Sequence, residues 1–420
     1  MLAFLPLRRV LPGVIVFVFA ANPLHELRAE SLSYQRAQHL AEQTAPENLA
    51  GIAQVQSAQS SVGPADALPD PKLILGIENL PISGRERYSL NDDDMTMRQV
   101  GVMQEVPNSD KRLARKNLAL ATLDRADAER RVALLEVRRQ TALGWLAVYY
   151  AERSVQLFDQ LDRQVALLKS STPSRIAGGN ARSADLLMAD QQALTLQDRR
   201  DELVRNVAMA RAKLRRWIGP DADQPLSGEP PPLNLGFSHL QHGLDRHPDL
   251  QAASARVSEA NADLAEAISQ KKPDWSVELI YSNRDKQFGD MASLQFTFDL
   301  PIFGSSRQGP RINAKQHNVE QMEAEQEAML REHRAELESG LAEVEQLSKA
   351  LERTEHSLIP LTTQRSELEL AAYKAGKSPL TSVISASSDL IEAQLRRIEQ
   401  QSKLNQVSAS LYYAYVEGLK

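Results

Sequence analysis

The histidines are the first residues of this sequence whose spacing suggests chemistry. His239 and His242 are three residues apart, which places their imidazole rings on one face of a helix, and His247 follows nearby. Imidazole is a common ligand of transition metals, but such a site needs a third or fourth ligand held at a fixed spacing. No third ligand stands at a recognisable fixed spacing from these histidines, and the chain contains no cysteine. We therefore predict neither a metal site nor a cofactor here.

Acidic residues beside two glycine turns suggest a second kind of chemistry, the attraction of cations. Asp185 and Asp190 follow the turn at Gly178–Gly179, and Asp389 follows the turn at Gly376. Glycine at these places permits a left-handed turn between antiparallel helices. If several copies of the chain surround an axis, each acid becomes a ring that favours cations at an aperture. The simpler interpretation of Asp185, which we favour, is that it complements the dipole at the start of a helix.

Nothing else in the sequence suggests an enzyme. We find no phosphate-binding loop, nucleophile elbow, zinc signature or paired carboxylates. A net charge of −6 also argues against a nucleic-acid partner. Two aromatic clusters at helical spacing are more typical of helix packing than of a substrate site. They consist of Trp145, Tyr149 and Tyr150, and of Tyr412, Tyr413 and Tyr415.

The elements that must position these residues are very long helices. The segment 109–168 contains one glycine and no proline, and at ~1.5 Å per residue it would be ~90 Å long. Arginines recur along its whole length, so it cannot cross a membrane and should pack against other helices in water. We predict similar helices at 183–218, 311–370 and 379–416. The helix at 311–370 should have a kink at Pro360.

An internal repeat divides the chain into two halves. The segment 46–71 begins and ends with proline, as does 248–273, and an offset of 202 residues relates the two. Each half is predicted to contain a short helix, two strands, a very long helix and a return helix. A repeat of this size indicates a duplication and not a solenoid of short units. We place the first repeat at 30–230 and the second at 231–420.

The strands of the second repeat predict a membrane surface. In 274–282 and 291–300 apolar residues alternate with polar ones, which is typical of a transmembrane β-strand. The strands of the first repeat, 72–80 and 95–106, alternate less regularly. The same pattern would also fit two hairpins of a soluble sheet. The side chains predicted to face lipid are Trp275, Val277, Leu279, Leu294, Phe296 and Phe298.

Two hairpins supply only four strands, which are too few to close a barrel around a lumen. Open strand edges are not tolerated in lipid, so strands that enter a membrane must be shared between copies of the chain. Three copies related by a rotation axis would give twelve strands. We therefore predict a mainly α fold with a membrane β-barrel, in which a trimeric twelve-stranded barrel continues into a long α-helical barrel.

The N-terminus has the layout of a secretory signal peptide. Arg8-Arg9 is followed by the apolar run 10–21, which is short for a membrane span. We place this signal at 1–29 and expect the exported chain to begin near Glu30. An uncleaved N-terminal anchor helix is the alternative.

The order of all these features resembles one known family. The segments PDPKLILGIENLP and MRQVGVMQEVPNSDKR of the first hairpin, and the turns IAGGNARSADLL and YKAGKSPLTSVI, are similar to those of the TolC family of outer-membrane efflux channels. The resemblance covers residues 31–418. The first hairpin and its exit most resemble the heavy-metal cation efflux (CzcC-like) branch. Some neighbouring branches carry an N-terminal lipid on cysteine, a residue that this chain lacks.

The resemblance implies a homotrimer in the outer membrane of a Gram-negative cell, with the helical part in the periplasm. It implies a passive duct that binds a periplasmic adaptor protein and an inner-membrane RND pump. The branch suggests heavy-metal cations as the cargo. Multidrug efflux and type I secretion ducts share this architecture and stay open as alternatives, and a soluble periplasmic coiled-coil scaffold is a further one.

Overall fold

A computed structural model describes residues 31–178, 183–233, 235, 244–285 and 287–417 of the 420-residue chain. Long helices pack side by side over most of this described part, and a four-stranded sheet lies at one end of them. The helices are α1 (Tyr34–Thr44), α2 (Pro46–Ala65), α3 (Ser109–Ala177), α4 (Ser183–Ile218), α5 (Pro248–Ser269), α6 (Gln308–Arg353), α7 (Ile359–Lys374) and α8 (Leu380–Tyr415). The strands are β1 (Leu32–Ser33), β2 (Lys72–Glu78), β3 (Met97–Val106), β4 (Leu226–Ser227), β5 (Trp275–Asn283) and β6 (Met291–Phe298).

The first long helix continues further than its sequence suggested. Helix α3 has 69 residues and ends at Ala177, beyond the predicted end at 168. It passes Pro173, which lies close to its C-terminal end, where the loss of one backbone hydrogen bond disturbs little of the helix. Helix α4 has the predicted bounds, and α8 is shorter than predicted by one residue at each end.

The second long helix is interrupted where the sequence predicted a kink. Helix α6 ends at Arg353, a π-helical turn covers Thr354–Leu358, and α7 starts at Ile359. The next residue, Pro360, has no N–H to donate to the carbonyl of His356, and its ring would crowd that carbonyl in a regular helix. The wider π turn accommodates this mismatch, so the segment predicted as one helix at 311–370 is two helices in the structure.

The four longer strands form one antiparallel sheet in the order β2-β3-β5-β6. Each predicted repeat supplies one hairpin, and the pairing of β3 with β5 joins the two predicted repeats in the middle of the sheet. In this register Leu279 lies between Val102 and Leu294. The strands begin and end within two residues of the predicted positions; the largest differences are at the ends of β2 and β6 and at the start of β3.

A polar joint fixes the start of α3 against the start of β5. Asp274 accepts a hydrogen bond from the backbone N–H of Asn108 at 2.8 Å and another from its side-chain amide at 2.9 Å, and it forms an ion pair with Lys111. The side-chain oxygen of Asn108 caps α3 by accepting the N–H of Lys111 at 2.9 Å. The first long helix is therefore tied to the hairpin of the second repeat.

Replacing Asp274 with alanine is expected to lower the free energy of unfolding by about 1–3 kcal/mol, because partly buried donors on Asn108 and Lys111 would lose their acceptor. Thermal unfolding of the detergent-solubilised protein, followed by circular dichroism, measures the change. Asp110→Ala is the matched control. Its carboxylate also pairs with a lysine, Lys272, but at the exposed surface, so its removal should leave the unfolding temperature nearly unchanged. Equal effects of the two variants would contradict the role of the joint.

The core lies where the two ends of the described chain meet the middle of α3. Trp145 is fully buried there, donates a hydrogen bond to the carbonyl of Leu32 at 3.1 Å, and contacts the rings of Tyr34 and Tyr149. The Tyr34 hydroxyl lies 3.0 Å from that of Tyr413 near the end of α8. Burial raises the pKa of both tyrosines, that of Tyr34 to about 12, so both hydroxyls stay protonated at neutral pH. The aromatic clusters therefore serve helix packing, as the sequence predicted.

Gly144, which is the one glycine of 109–168, has a packing role in the same core. A Cβ atom at this position would lie 3.3 Å from the Cα and Cδ1 atoms of Leu214 on α4. The absence of a side chain lets the two helices approach closely beside Trp145. Gly144 is thus a point of contact between helices and not a break in α3.

Candidate functional site

The sheet exposes one continuous apolar face. On β5 and β6 the exposed fractions are 59% for Leu279, 62% for Leu294, 54% for Phe296 and 59% for Phe298. Their register partners place these side chains on one side of the sheet, together with Trp275 and the partly exposed Val277. An apolar patch of this kind indicates a surface that lipid or another chain covers.

The first repeat extends the same face, although its sequence alternates less regularly. Pairing with β5 places Val100 and Val102 beside the apolar residues of the second repeat, and β2 continues the row. These side chains are well exposed in the single chain, except that of Val106, which is partly exposed. The first-repeat members of the face are Leu73, Leu75, Ile77, Val100, Val102 and Val106.

The opposite face of the sheet is mainly polar. Lys72 and Glu105 form an ion pair there, and the side-chain amide of Gln99 donates hydrogen bonds to Glu78 and, at 3.4 Å, to Ser282. One polar and one apolar face are what a strand needs when it separates lipid from a water-filled interior.

Two polar residues of β3 interrupt the apolar face, and both lie near an end of the sheet. Arg98 donates to the side chain of Asn91 in the loop between β2 and β3 at 2.5 Å. At the helical end, Gln104 donates to the carbonyl of Pro69 at 2.8 Å. Each polar group thus reaches a partner beyond the strands, and the middle of the apolar face contains apolar side chains only.

The turns between the long helices hold the residues predicted to form an aperture. Gly376 has φ +73°, the left-handed conformation that favours glycine. Gly178 differs from the predicted left-handed turn: its φ is −83°, which any residue adopts. Gly179 lies outside the described residues. The structure therefore provides a conformational reason for glycine at one of these two turns.

The three candidate acids have different surroundings. Asp389 on α8 forms an ion pair with Arg365 on α7 at 2.8 Å, so its charge is offset within the chain. Asp190 is partly exposed on α4. Asp185 lies in the first turn of α4, as the helix-dipole interpretation requires, but its side chain is outside the described part.

A cluster of histidine and acid side chains, which the sequence did not reveal, lies between helices. His247 is buried at the N-terminus of α5, and its Nδ1 atom lies 3.6 Å from a carboxylate oxygen of Asp249. The Nε2 atom of His333 on α6 lies 3.3 Å from the same oxygen. The two imidazole rings are 4.1 Å apart between centroids. His239 and His242, which the sequence analysis grouped with His247, lie outside the described residues.

The surroundings of this cluster shift the pKa values of all three of its side chains. Burial lowers the pKa of His247 to about 4, with a further contribution from the adjacent His333. The contact with Asp249 raises the pKa of His333, and the same contact lowers the pKa of the Asp249 carboxyl. At neutral pH one imidazole is therefore neutral and lies beside a carboxylate.

Comparison with known proteins identifies the architecture. Residues 240–415, which include α5 to α8, match the sequence model of a family described as outer membrane efflux protein. A membrane protein from Pseudomonas aeruginosa superposes with a TM-score of 0.79 at 18% identity, over 91% of this chain and 90% of that chain. The fold is that of the TolC-like outer membrane channels.

Two further structures share the TolC-like fold. The outer membrane protein VceC of Vibrio cholerae has a TM-score of 0.75 at 16% identity, over 91% of this chain and 95% of that chain. The CmeC outer membrane channel of Campylobacter jejuni has a TM-score of 0.77 at 11% identity, over 92% and 86%. No curated protein resembles the chain closely enough in sequence to count as a match.

These likenesses agree with a channel and not with an enzyme, as the sequence predicted. They also support the predicted location, the outer membrane with the helical part on its periplasmic side. Among the described helices, none combines the length and the low charge that crossing a bilayer requires.

Proposed function

We propose that this chain forms the outer-membrane exit duct of a tripartite efflux system, as one of three identical subunits. Each subunit contributes four strands to a shared barrel, and the helices form the periplasmic part of the duct. A periplasmic adaptor and an inner-membrane RND pump deliver the cargo, for which we propose heavy-metal cations. The duct is passive, and the energy for transport comes from its partners.

One observation carries this proposal, namely the apolar face of an open sheet. Within the described chain β2 and β6 each pair on one side only, so both edges of the sheet have unpaired backbone groups. In lipid such edges are too costly to stay open. Strand β2 of one copy beside β6 of the next would satisfy both edges and close a barrel whose apolar face is directed outward.

Exposed leucines on the long helices support association of several copies. Leu187 and Leu194 on α4, and Leu361 and Leu368 on α7, are each at least 65% exposed in the single chain. Leucines so exposed on charged helices are better explained by contact with neighbouring helices than by contact with water.

Membrane fractionation and size analysis test the duct itself. We expect the exported protein in the outer-membrane fraction and, after detergent extraction, a particle three times the mass of one chain. Conductance across a planar bilayer should follow its insertion. Recovery of a monomer from the periplasm without detergent would contradict the proposal and favour the soluble scaffold.

Deletion of the gene tests the cargo. If heavy-metal cations are exported, the deletion strain should lose tolerance to one or more of zinc, cobalt, cadmium and copper, while its tolerance to organic drugs stays unchanged. The wild-type gene on a plasmid should restore growth. Sensitivity to drugs alone, or loss of a secreted protein, would contradict heavy-metal cations as the cargo and would favour multidrug efflux or type I secretion.

The acids of α4 provide a prediction for the aperture. Replacement of both Asp185 and Asp190 with alanine is expected to reduce the preference for cations, because every copy would lose two negative charges near the turn. The reversal potential in a salt gradient measures this preference. Asp389→Asn serves for comparison, because it removes only one charge from each copy and lies further from its glycine turn than Asp185 does; it should have the smaller effect. An unchanged reversal potential in the double variant would contradict the aperture role of both acids and would leave Asp185 with its helix-dipole role alone.

A further inference from the structure

The cluster of His247, Asp249 and His333 has the composition and geometry of a cation site. We propose that these three side chains bind one divalent transition-metal ion of the zinc class between helices α5 and α6. The site is separate from the predicted aperture acids near the turns, and its existence does not depend on which cargo the duct carries.

The distances fit such an ion. Bonds of ~2.0–2.1 Å in a tetrahedral zinc site place neighbouring ligand atoms about 3.3 Å apart. The Asp249 carboxylate oxygen lies 3.3 Å from His333 Nε2 and 3.6 Å from His247 Nδ1. One ligand atom of each of the three residues lies within 4.8 Å of the others. Small side-chain movements would therefore bring all three to bonding distance.

The hydrogen bonding of His247 is incomplete. The ring is 4% exposed, and its Nε2 atom has no hydrogen-bond partner. One contact orients it, the backbone N–H of Asp249, which donates to Nδ1 at 3.2 Å. Buried imidazole nitrogens are normally satisfied, and His247 is one of the residues that line a cavity of about 320 Å³. An ion bound at Nδ1 would take the place of the Asp249 N–H, and the proton of the neutral ring would stay on Nε2.

His333 has the outer contacts that metal-binding histidines commonly have. Its Nδ1 atom lies 3.3 Å from the hydroxyl of Tyr415 and 3.6 Å from a carboxylate oxygen of Glu336. Such partners of the second ring nitrogen fix the tautomer that presents Nε2 to a metal. Glu332, in the wall of the same cavity, or a water molecule could complete the coordination.

The ligand set decides the class of ion. Two imidazoles and one carboxylate suit zinc, cobalt, nickel or copper in the divalent state, whereas magnesium and calcium prefer sites made of oxygen atoms alone. No thiolate is available to favour monovalent copper, since the chain has no cysteine. Zinc and cobalt are therefore the probes to use.

Metal titration of the full-length, detergent-solubilised protein tests the proposal. The protein is purified without a polyhistidine tag and stripped of metal with a chelator. Calorimetry should then show one Zn²⁺ bound per chain, and Co²⁺ should give the visible absorption of a tetrahedral site. His333→Gln and Asp249→Asn should each weaken Zn²⁺ binding by more than about tenfold, because loss of even an outer-shell partner costs about 10–100-fold.

His317→Gln is the matched control. This histidine also lies on α6 and also contacts a glutamate, Glu320 at 2.9 Å, but it is exposed and outside the cluster. It should bind Zn²⁺ as the wild type does. Circular dichroism checks that each variant is folded, and Zn²⁺ should raise the unfolding temperature of the wild type and of His317→Gln only. Wild-type binding by both cluster variants, or no binding by the wild type, would overturn the proposal. Neither outcome would affect the duct, which the fractionation experiment tests independently.

Discussion

Lysine in place of Leu294 is expected to prevent assembly of the outer-membrane oligomer. Leu294 lies in the middle of β6, faces Leu279 across the hairpin and is 62% exposed in the single chain. A lysine on the lipid-facing side of a transmembrane strand costs ~2–4 kcal/mol near the middle of the bilayer. A trimer would incur this cost three times. The measurement is the amount of oligomer in the outer-membrane fraction, which should fall to near the limit of detection.

The neighbouring residue on the same strand provides the control. Gln295 points to the polar face and lies opposite Glu278, so Gln295→Lys places the new charge next to a carboxylate in the proposed water-filled interior. This variant should assemble as the wild type does. If both lysine variants assemble equally well, the apolar face is not in lipid, and the soluble-sheet alternative regains support.

Alanine in place of Trp145 is expected to produce the largest loss of stability among core substitutions. Its ring is fully buried, stacks on Tyr149 and meets the edge of Tyr34, both at centroid distances of 5.4 Å. Truncating a buried tryptophan costs about 3–5 kcal/mol, because the lost contacts leave a cavity that the surrounding helices fill only in part. The hydrogen bond to the Leu32 carbonyl would be lost as well. Urea unfolding, monitored by circular dichroism, gives the difference in free energy of unfolding.

A second tryptophan serves for comparison in the same experiment. Trp217 on α4 packs against the same cluster but is only partly buried, and Arg216 lies over its ring at 4.6 Å. Trp217→Ala should therefore reduce stability by clearly less than Trp145→Ala. Equal losses would show that the contacts of Trp145 with the N-terminal segment contribute little.

The sequence predicted most of the fold because its periodicities are simple. Period-two alternation in β5 and β6 directly indicates which side chains share a face, and this pattern survives as the apolar face of the sheet. The same rule was less informative for β3, where Gln104 stands at an apolar position. Its amide reaches the Pro69 carbonyl, a contact that no pattern within the strand could indicate. The long helices were equally easy to predict, because they contain few residues that interrupt a helix.

Features that depend on distant residues could not be predicted in this way. His333 lies far from His247 and Asp249 in sequence, and only the packing of α6 against α5 brings it to them. The local spacing of histidines instead pointed to His239 and His242. At Asp389 the sequence showed the charge but not its partner Arg365, because the partner lies on the preceding helix across the turn. Similarly, proline at 360 predicted a disturbance of the helix but not its form as a π turn.

The contact between the two hairpins has a consequence for how the chain folds. Gln99 on β3 pairs with Ser282 on β5, 183 residues further along the chain. Each hairpin can close soon after its own residues are available. Strands β3 and β5, however, can pair only after the long helices α3 and α4 between them have formed and packed against each other. Pairings at such separation are slow to form. The edges of the first hairpin therefore stay unpaired for an extended period during folding. Binding of a periplasmic chaperone to these edges would prevent them from pairing with other chains.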